Sequence, residues 1–174
     1  IPVTGTAGVG FALQADVMPH LNLLLHTLFG TFLVAAAAAV ANQVSEQSFD
    51  RRMIRTRNRP LVTGNIKYRT AVWIGVTLLI SGCSWLALTV NLPALLFAML
   101  AFVFYVALYT PLKRVTPFCT FFGAVSGALP VLVGWSATST KFDLWTFTAF
   151  ILLFIWQIPH FLAIAWLHRT DYLH

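Results

Sequence analysis

Charge is what this chain has least of. Asp, Glu, Lys and Arg make up 9% of its 174 residues, against about 25% in an ordinary soluble domain. With 59% hydrophobic residues and a mean hydropathy of +0.80, it has too few polar side chains to cover a surface in water. That excludes a soluble globular domain and leaves an integral membrane protein. Cysteine is scarce too: Cys83 and Cys119 are the two present. They have no metal-ligand spacing and fall in or beside apolar runs, so they read as small hydrophobes. The long apolar runs lack the alternation of a strand, which argues against a barrel. The few basic residues flank apolar runs, so no nucleic-acid partner is expected.

What the sequence does have is runs long enough to cross a bilayer, for which a helix needs about 20 mostly apolar residues. Five such runs lie near His20 to Ala41, Thr70 to Val90, Pro93 to Leu112, Pro117 to Ala137 and Leu144 to Leu167, with a partial one over Ile1 to Leu13. The expected fold is an all-α, polytopic transmembrane helix bundle. Ten of the eleven Lys and Arg residues lie in the links Asn42–Arg69, Lys113-Arg114 and the tail from His168. The alternate links carry only Lys141, with Asp16 and Asp143. The positive-inside rule puts the first set on the cytoplasmic side, or the matrix side in an organelle.

Glu46, Asp50 and Asp171 share that side. The stretch ANQVSEQSFDRRMIRTRNRPLVTGN, Ala41–Asn65, holds two of the five acids and five of the eleven bases. If the second span continues as helix past Asn42, then Asn42, Glu46 and Asp50 fall on one stripe, because residues four apart stack on one face. Carboxylate and amide oxygens suit Mg²⁺, which commonly takes one or two carboxylates plus substrate phosphates. Arg51, Arg52, Arg55, Arg57 and Arg59 follow at once, and guanidinium groups contact phosphate in bidentate fashion. A basic loop beside a span also serves as a topology signal and a headgroup contact. That reading leaves the acids and the Asn on one face without a purpose.

The same residues carry a family resemblance. Asn42-x-x-x-Glu46-x-x-x-Asp50 followed by RRMIRTRNRPLV resembles the first motif of the UbiA superfamily of intramembrane prenyltransferases, and the string from Asp50 is similar to its haem O synthase branch. YTPLKRVTPFCTFFGAVSGALPVLVGW (Tyr109–Trp135) and WQIPHFLAIAW (Trp156–Trp166), with Arg169, Asp171 and Tyr172 after it, resemble further segments of that branch, in family order. Three departures stand out. Glu46 replaces the Asp of many bacterial members, Cys119 stands where Asn is usual, and the Lys-Pro-Arg element of the first span is absent. The resemblance implies a nine-helix family fold of which 1–174 is a single domain, truncated at both ends. It implies farnesyl transfer from farnesyl diphosphate to a vinyl group of haem B, with Mg²⁺ as cofactor, haem B as substrate, the lipid bilayer as surroundings and haem A synthase as a partner. It implies metal binding by Asn42, Glu46 and Asp50, with Asp171 for a second ion, and diphosphate contacts from Arg57, Arg59, Lys113 and Arg114. Gln157 or His160 is expected to line the acceptor pocket, as an iron ligand or a proton handler at the vinyl side, because in-membrane ionisable groups are functional candidates by default. The other reading of His160 is a buried group hydrogen-bonded near the Pro159 kink.

Two other readings fit part of the pattern. A relative acting on 4-hydroxybenzoate, a quinone precursor or a chlorophyllide shares the acidic motif, and RTRNRPLV and WQIPHF favour haem over these. A transporter or structural subunit predicts polar groups at interrupted helices near the midplane, whereas the acids here cluster at a boundary. Gly123, Gly127 and Gly134 form a small-residue surface suited to close helix packing. Tyr109 is expected as an interfacial anchor or a diphosphate contact, and His20 and His26 as structural groups toward the other face.

Overall fold

The computed structural model describes residues 2–14, 20–54, 56–113, 115–139 and 143–167. The described residues form helices α1 (Pro2–Ala12), α2 (Leu21–Asp50), α3 (Tyr68–Thr89), α4 (Leu92–Val103), a π-helical segment (Phe104–Tyr109), α5 (Thr110–Leu112), α6 (Cys119–Thr138) and α7 (Leu144–Leu167). Five helical stretches are long and apolar enough to cross a membrane, Leu92–Leu112 counting as one. They match the apolar runs of the sequence to within about two residues at most ends, the usual uncertainty of a helix boundary. The exception is α2, which runs on through Asp50 as one 30-residue helix.

Between helices in lipid there is no hydrophobic drive, so close packing of small residues has to hold them together. α6 shows this most clearly. It touches α1, α2, α4, the π segment and α7, and it buries Gly123, Ala124, Ser126, Ala128, Gly134, Ser136 and Ala137. α2 lies along α3, and Gly82 of α3 sits against Leu33 and Val34. Cys83 packs with Val34, Leu86, Ala94 and Ala98 and has no disulfide partner, as a small hydrophobe would. Large apolar side chains such as Trp73, Leu88, Trp145 and Leu152 point outward, where lipid solvates them.

The fourth span, Leu92–Leu112, is not α-helical throughout. Pro111 has no N–H to give the Ala107 carbonyl. Just before it, the Thr110 N–H reaches back five residues to the Tyr105 carbonyl, the π pattern. The Thr110 hydroxyl lies 2.8 Å from the same oxygen.

At the opposite end of the bundle, Asp143 caps α7. Its Oδ1 accepts from the Thr146 N–H at 2.7 Å, and its Oδ2 accepts from the Gln14 amide. The bonds from Thr146 first, then the one from Gln14, hold its carboxyl below the ordinary value of 3.8. A carboxylate depressed in the folded state contributes stability above its unfolded value and loses it as pH falls through the folded one. Thermal melting of the detergent-solubilised protein is therefore expected to weaken on acidification below that range, and Asp143→Asn to flatten this part of the profile. An unchanged slope in the variant would remove Asp143 as its source.

Candidate functional site

The 30-residue length of α2 is what builds the site. Thr31, Ala35 and Ala39 line a cavity of about 350 Å³ inside the bundle. Each stands eleven residues before Asn42, Glu46 or Asp50, just over three whole turns at about 3.6 residues per turn. The polar triplet therefore continues the cavity-facing surface of α2 outward. All three are buried, at 7%, 6% and 3% exposure.

Two carboxylates one turn apart repel each other strongly in a low-dielectric setting. Each is matched by a cation from another part of the chain. Arg59 Nη1 lies 2.6 Å from Asp50 Oδ2, and Lys113 Nζ pairs with Glu46 Oε1. Both cations remain more than a quarter exposed, so they reach the rim from the water side. Asn42 is the joint of the network. Its Nδ2 donates to Glu46 Oε2 at 3.0 Å, and its Oδ1 lies 3.0 Å from the Thr110 hydroxyl. That hydroxyl has one proton and two acceptors, Asn42 Oδ1 and the Tyr105 carbonyl.

The loop after α2 decides which arginine arrives. The Thr56 hydroxyl donates to the Asp50 carbonyl at the helix end, and Gln47 Nε2 donates to the Leu61 carbonyl. Gly64 turns the chain at φ +82°, a conformation that costs glycine little. Folded back in this way, the loop sets Arg59 on Asp50. Arg57, expected beside it, is exposed and makes no ion pair among the described residues. Arg114 and Asp171 lie outside the described residues, as does Arg55.

The cavity wall is mostly alanine, valine and phenylalanine. Its polar exceptions are Thr31, Tyr105, Ser126, Gln157 and His160. Gln157 and His160 are both among the residues that line the cavity. Gln157 lies against Gly127, where a Cβ would come within 2.5 Å of its Nε2. His160 is exposed and stacks on Trp156 with 4.8 Å between centroids. Tyr109, expected as an interfacial anchor or a diphosphate contact, is half-buried in an aromatic stack. Its ring lies between Tyr105 at 5.4 Å and Phe161 at 5.6 Å, with Lys113 Nζ 5.5 Å from its centroid. Sequence reasoning missed Tyr105 and Thr110. The first had a readable signal, since Tyr105, Tyr109 and Lys113 repeat the four-residue spacing of the acids.

Among the described residues no three His, Cys, Asp or Glu side chains converge. A divalent ion at this rim would have Glu46 and Asp50 as its carboxylates, and the rest of its shell would fall to water and substrate oxygens. That donor set fits Mg²⁺, which keeps several waters and rarely needs an all-protein cage.

The UbiA prenyltransferase family model matches residues 3–173. The chain belongs to the UbiA prenyltransferase family. It is an integral, multi-pass membrane protein. Among curated UbiA relatives, a protoheme IX farnesyltransferase of Koribacter versatilis is 38% identical over 173 residues, 99% of this chain and 56% of that protein. One from Francisella tularensis subsp. holarctica is 39% identical over 171 residues, covering 98% and 61%. The chain thus spans about three-fifths of the length of these relatives. In fold it is similar to a UbiA homologue from Archaeoglobus fulgidus bound to GPP and Mg²⁺, with a TM-score of 0.72 at 20% identity over 98% of this chain and 60% of that one. A second UbiA homologue, from Aeropyrum pernix K1 in its apo form, gives 0.67 at 19% over 90% and 59%.

Proposed function

We propose that this chain carries the prenyl-transfer site of a protohaem IX farnesyltransferase, which moves a farnesyl group from farnesyl diphosphate to a vinyl group of haem B and so makes haem O. The observation that carries the reading is one surface of α2 that is acidic at the rim and apolar within. It suits a substrate with a polyanionic head and a hydrocarbon tail. The protohaem IX farnesyltransferases among its relatives support haem as acceptor, and the GPP- and Mg²⁺-bound neighbour supports an ion with a diphosphate.

Glu46 and Asp50 hold the ion, and Asn42 acts on it through its bond to Glu46 or through water. When bound, Mg²⁺ neutralises charge on the diphosphate leaving group. Arg59 and Lys113, already at the carboxylates, turn to the diphosphate oxygens and take up negative charge as the C–O bond breaks. Arg57 and Arg114 are outer diphosphate contacts, and Asp171 serves a second ion. The alanine and phenylalanine walls keep water from the allylic cation until the haem vinyl group attacks. Gln157 and His160 face the acceptor. The rim faces the cytoplasm of a bacterium across its inner membrane, or the matrix across the mitochondrial inner membrane, and haem A synthase takes the product.

The test is direct. Full-length protein is incubated with haem B, farnesyl diphosphate and Mg²⁺, and the porphyrin is weighed by mass spectrometry. The expected product has gained a farnesyl group on the outer vinyl carbon and a hydroxyl from water on the inner one, the proton of that water leaving with the diphosphate. Unchanged haem alongside prenylated 4-hydroxybenzoate would overturn the acceptor.

A further inference from the structure

If a prenyl diphosphate lies as proposed, head at the rim and tail in the cavity, its reacting carbon falls where the two meet. One side chain from outside α2 belongs to both regions. Tyr105 is part of the cavity wall, and its ring stacks on Tyr109, over which lies Lys113, the partner of Glu46. Its backbone carbonyl is tied through Thr110 to Asn42.

The π segment fixes it there. A π turn widens the helix, shifts the register of the residues after it, and is found often at functional sites. Here it lets Tyr105 face the cavity while Thr110, five residues on, still bonds to the Tyr105 carbonyl. One face of the Tyr105 ring is taken by Tyr109, whose other neighbour is Phe161. Stacked in this way, the ring still lines the wall.

We propose that Tyr105 is a catalytic residue of the proposed transfer, its ring face stabilising the allylic cation left when the diphosphate departs. In that step the C1–O bond breaks heterolytically. Both electrons go to the diphosphate oxygen, and the positive charge spreads over C1 and C3 of the prenyl group. Aromatic faces attract cations most strongly where water is excluded. The inference rests on the prenyl-transfer reading but not on haem as the acceptor.

The experiment uses full-length protein and reads Mg²⁺-dependent release of diphosphate from farnesyl diphosphate, with and without haem B. Tyr105→Leu is expected to lower kcat about thirtyfold, the size of a desolvated cation–π contact. Mn²⁺ affinity and melting temperature should stay near those of the wild type. Starting from Tyr105→Phe, incorporation of mono-, di- and trifluorinated phenylalanine at the same position should lower log kcat in proportion to the loss of ring quadrupole. A ring that only fills space gives a flat fluorination series, and that result overturns the proposal. So does a Tyr105→Leu protein whose Mn²⁺ affinity falls in step with kcat. Diphosphate release without haem farnesylation defeats the acceptor alone and leaves the Tyr105 series readable. Absence of release from any allylic diphosphate in the wild type defeats both readings.

Discussion

Asp50→Asn in the full-length protein is expected to lower kcat for farnesyl transfer by about a thousandfold, the loss expected on removal of one element of preorganised charge stabilisation at a leaving group. The amide matches the carboxylate in shape, so the packing at the end of α2 survives. What changes is charge. Asp50 is 3% exposed, and among the described residues it shares the rim with one other carboxylate, Glu46. With an amide there, the α2 stripe keeps Glu46 as its one charge toward an ion, and Lys113 already competes for it. Breaking a fully buried ion pair by removing one partner costs about 3–5 kcal/mol. Arg59, at 28% side-chain exposure, can turn to water, so the stability loss here should be nearer ~1 kcal/mol. Catalysis and stability are therefore expected to separate. The checks are kcat, Mn²⁺ affinity in the presence of an unreactive farnesyl diphosphate analogue, and melting temperature. A kcat within about threefold of the wild type would leave the ion-binding role of this residue without support.

That experiment targets a feature the sequence already displayed. Helical periodicity turns a spacing of four into a shared face, so the spacing alone aligns Asn42, Glu46 and Asp50. The spans were legible for a related reason, since bilayer thickness demands a minimum apolar length. The choice of cation was only partly legible. The family resemblance put Arg57 and Arg59 ahead of Arg51 and Arg52, and it is the return of the loop through Thr56, Leu61 and Gly64 that sets Arg59 rather than Arg57 on Asp50. The π segment was hidden as well: Pro111 announces a missing donor but not how the helix absorbs it. Tyr105 carried the same four-residue spacing as the acids. In a chain that is 14% aromatic, however, one tyrosine in an apolar run does not stand out until the cavity does.

The glycines show the same boundary between pattern and partner. Gly123, Gly127 and Gly134 read as one packing surface, yet they face different neighbours. Gly123 meets the Tyr109 and Phe161 rings, and Gly127 meets Gln157. Gly134 meets the backbone of α1: a Cβ there would stand 2.7 Å from the Phe11 nitrogen and 2.8 Å from the Ala7 carbonyl carbon. Gly10 repeats the contact from the other side, where the Val131 carbonyl oxygen occupies the place a side chain would begin. Backbone cannot swing aside as a glutamine can. Gly134→Ala must push α1 off α6, and overpacking of this kind costs about 1–3 kcal/mol or more. The displaced helix carries Val3, part of the cavity wall, and fully buried Ala7 and Phe11. Loss of transfer activity should therefore accompany a lowered melting temperature in detergent. Gly5→Ala is the control. That position has no atom within 4 Å of an added Cβ, and replacing glycine by alanine within a helix favours the folded state by roughly 0.5–1 kcal/mol. The expected order of melting temperatures is Gly5→Ala at or above the wild type, with Gly134→Ala well below both. If Gly134→Ala melts with the wild type, α1 does not lie on α6 as closely as these two glycines require, and the inner wall of the cavity would have to be drawn without it.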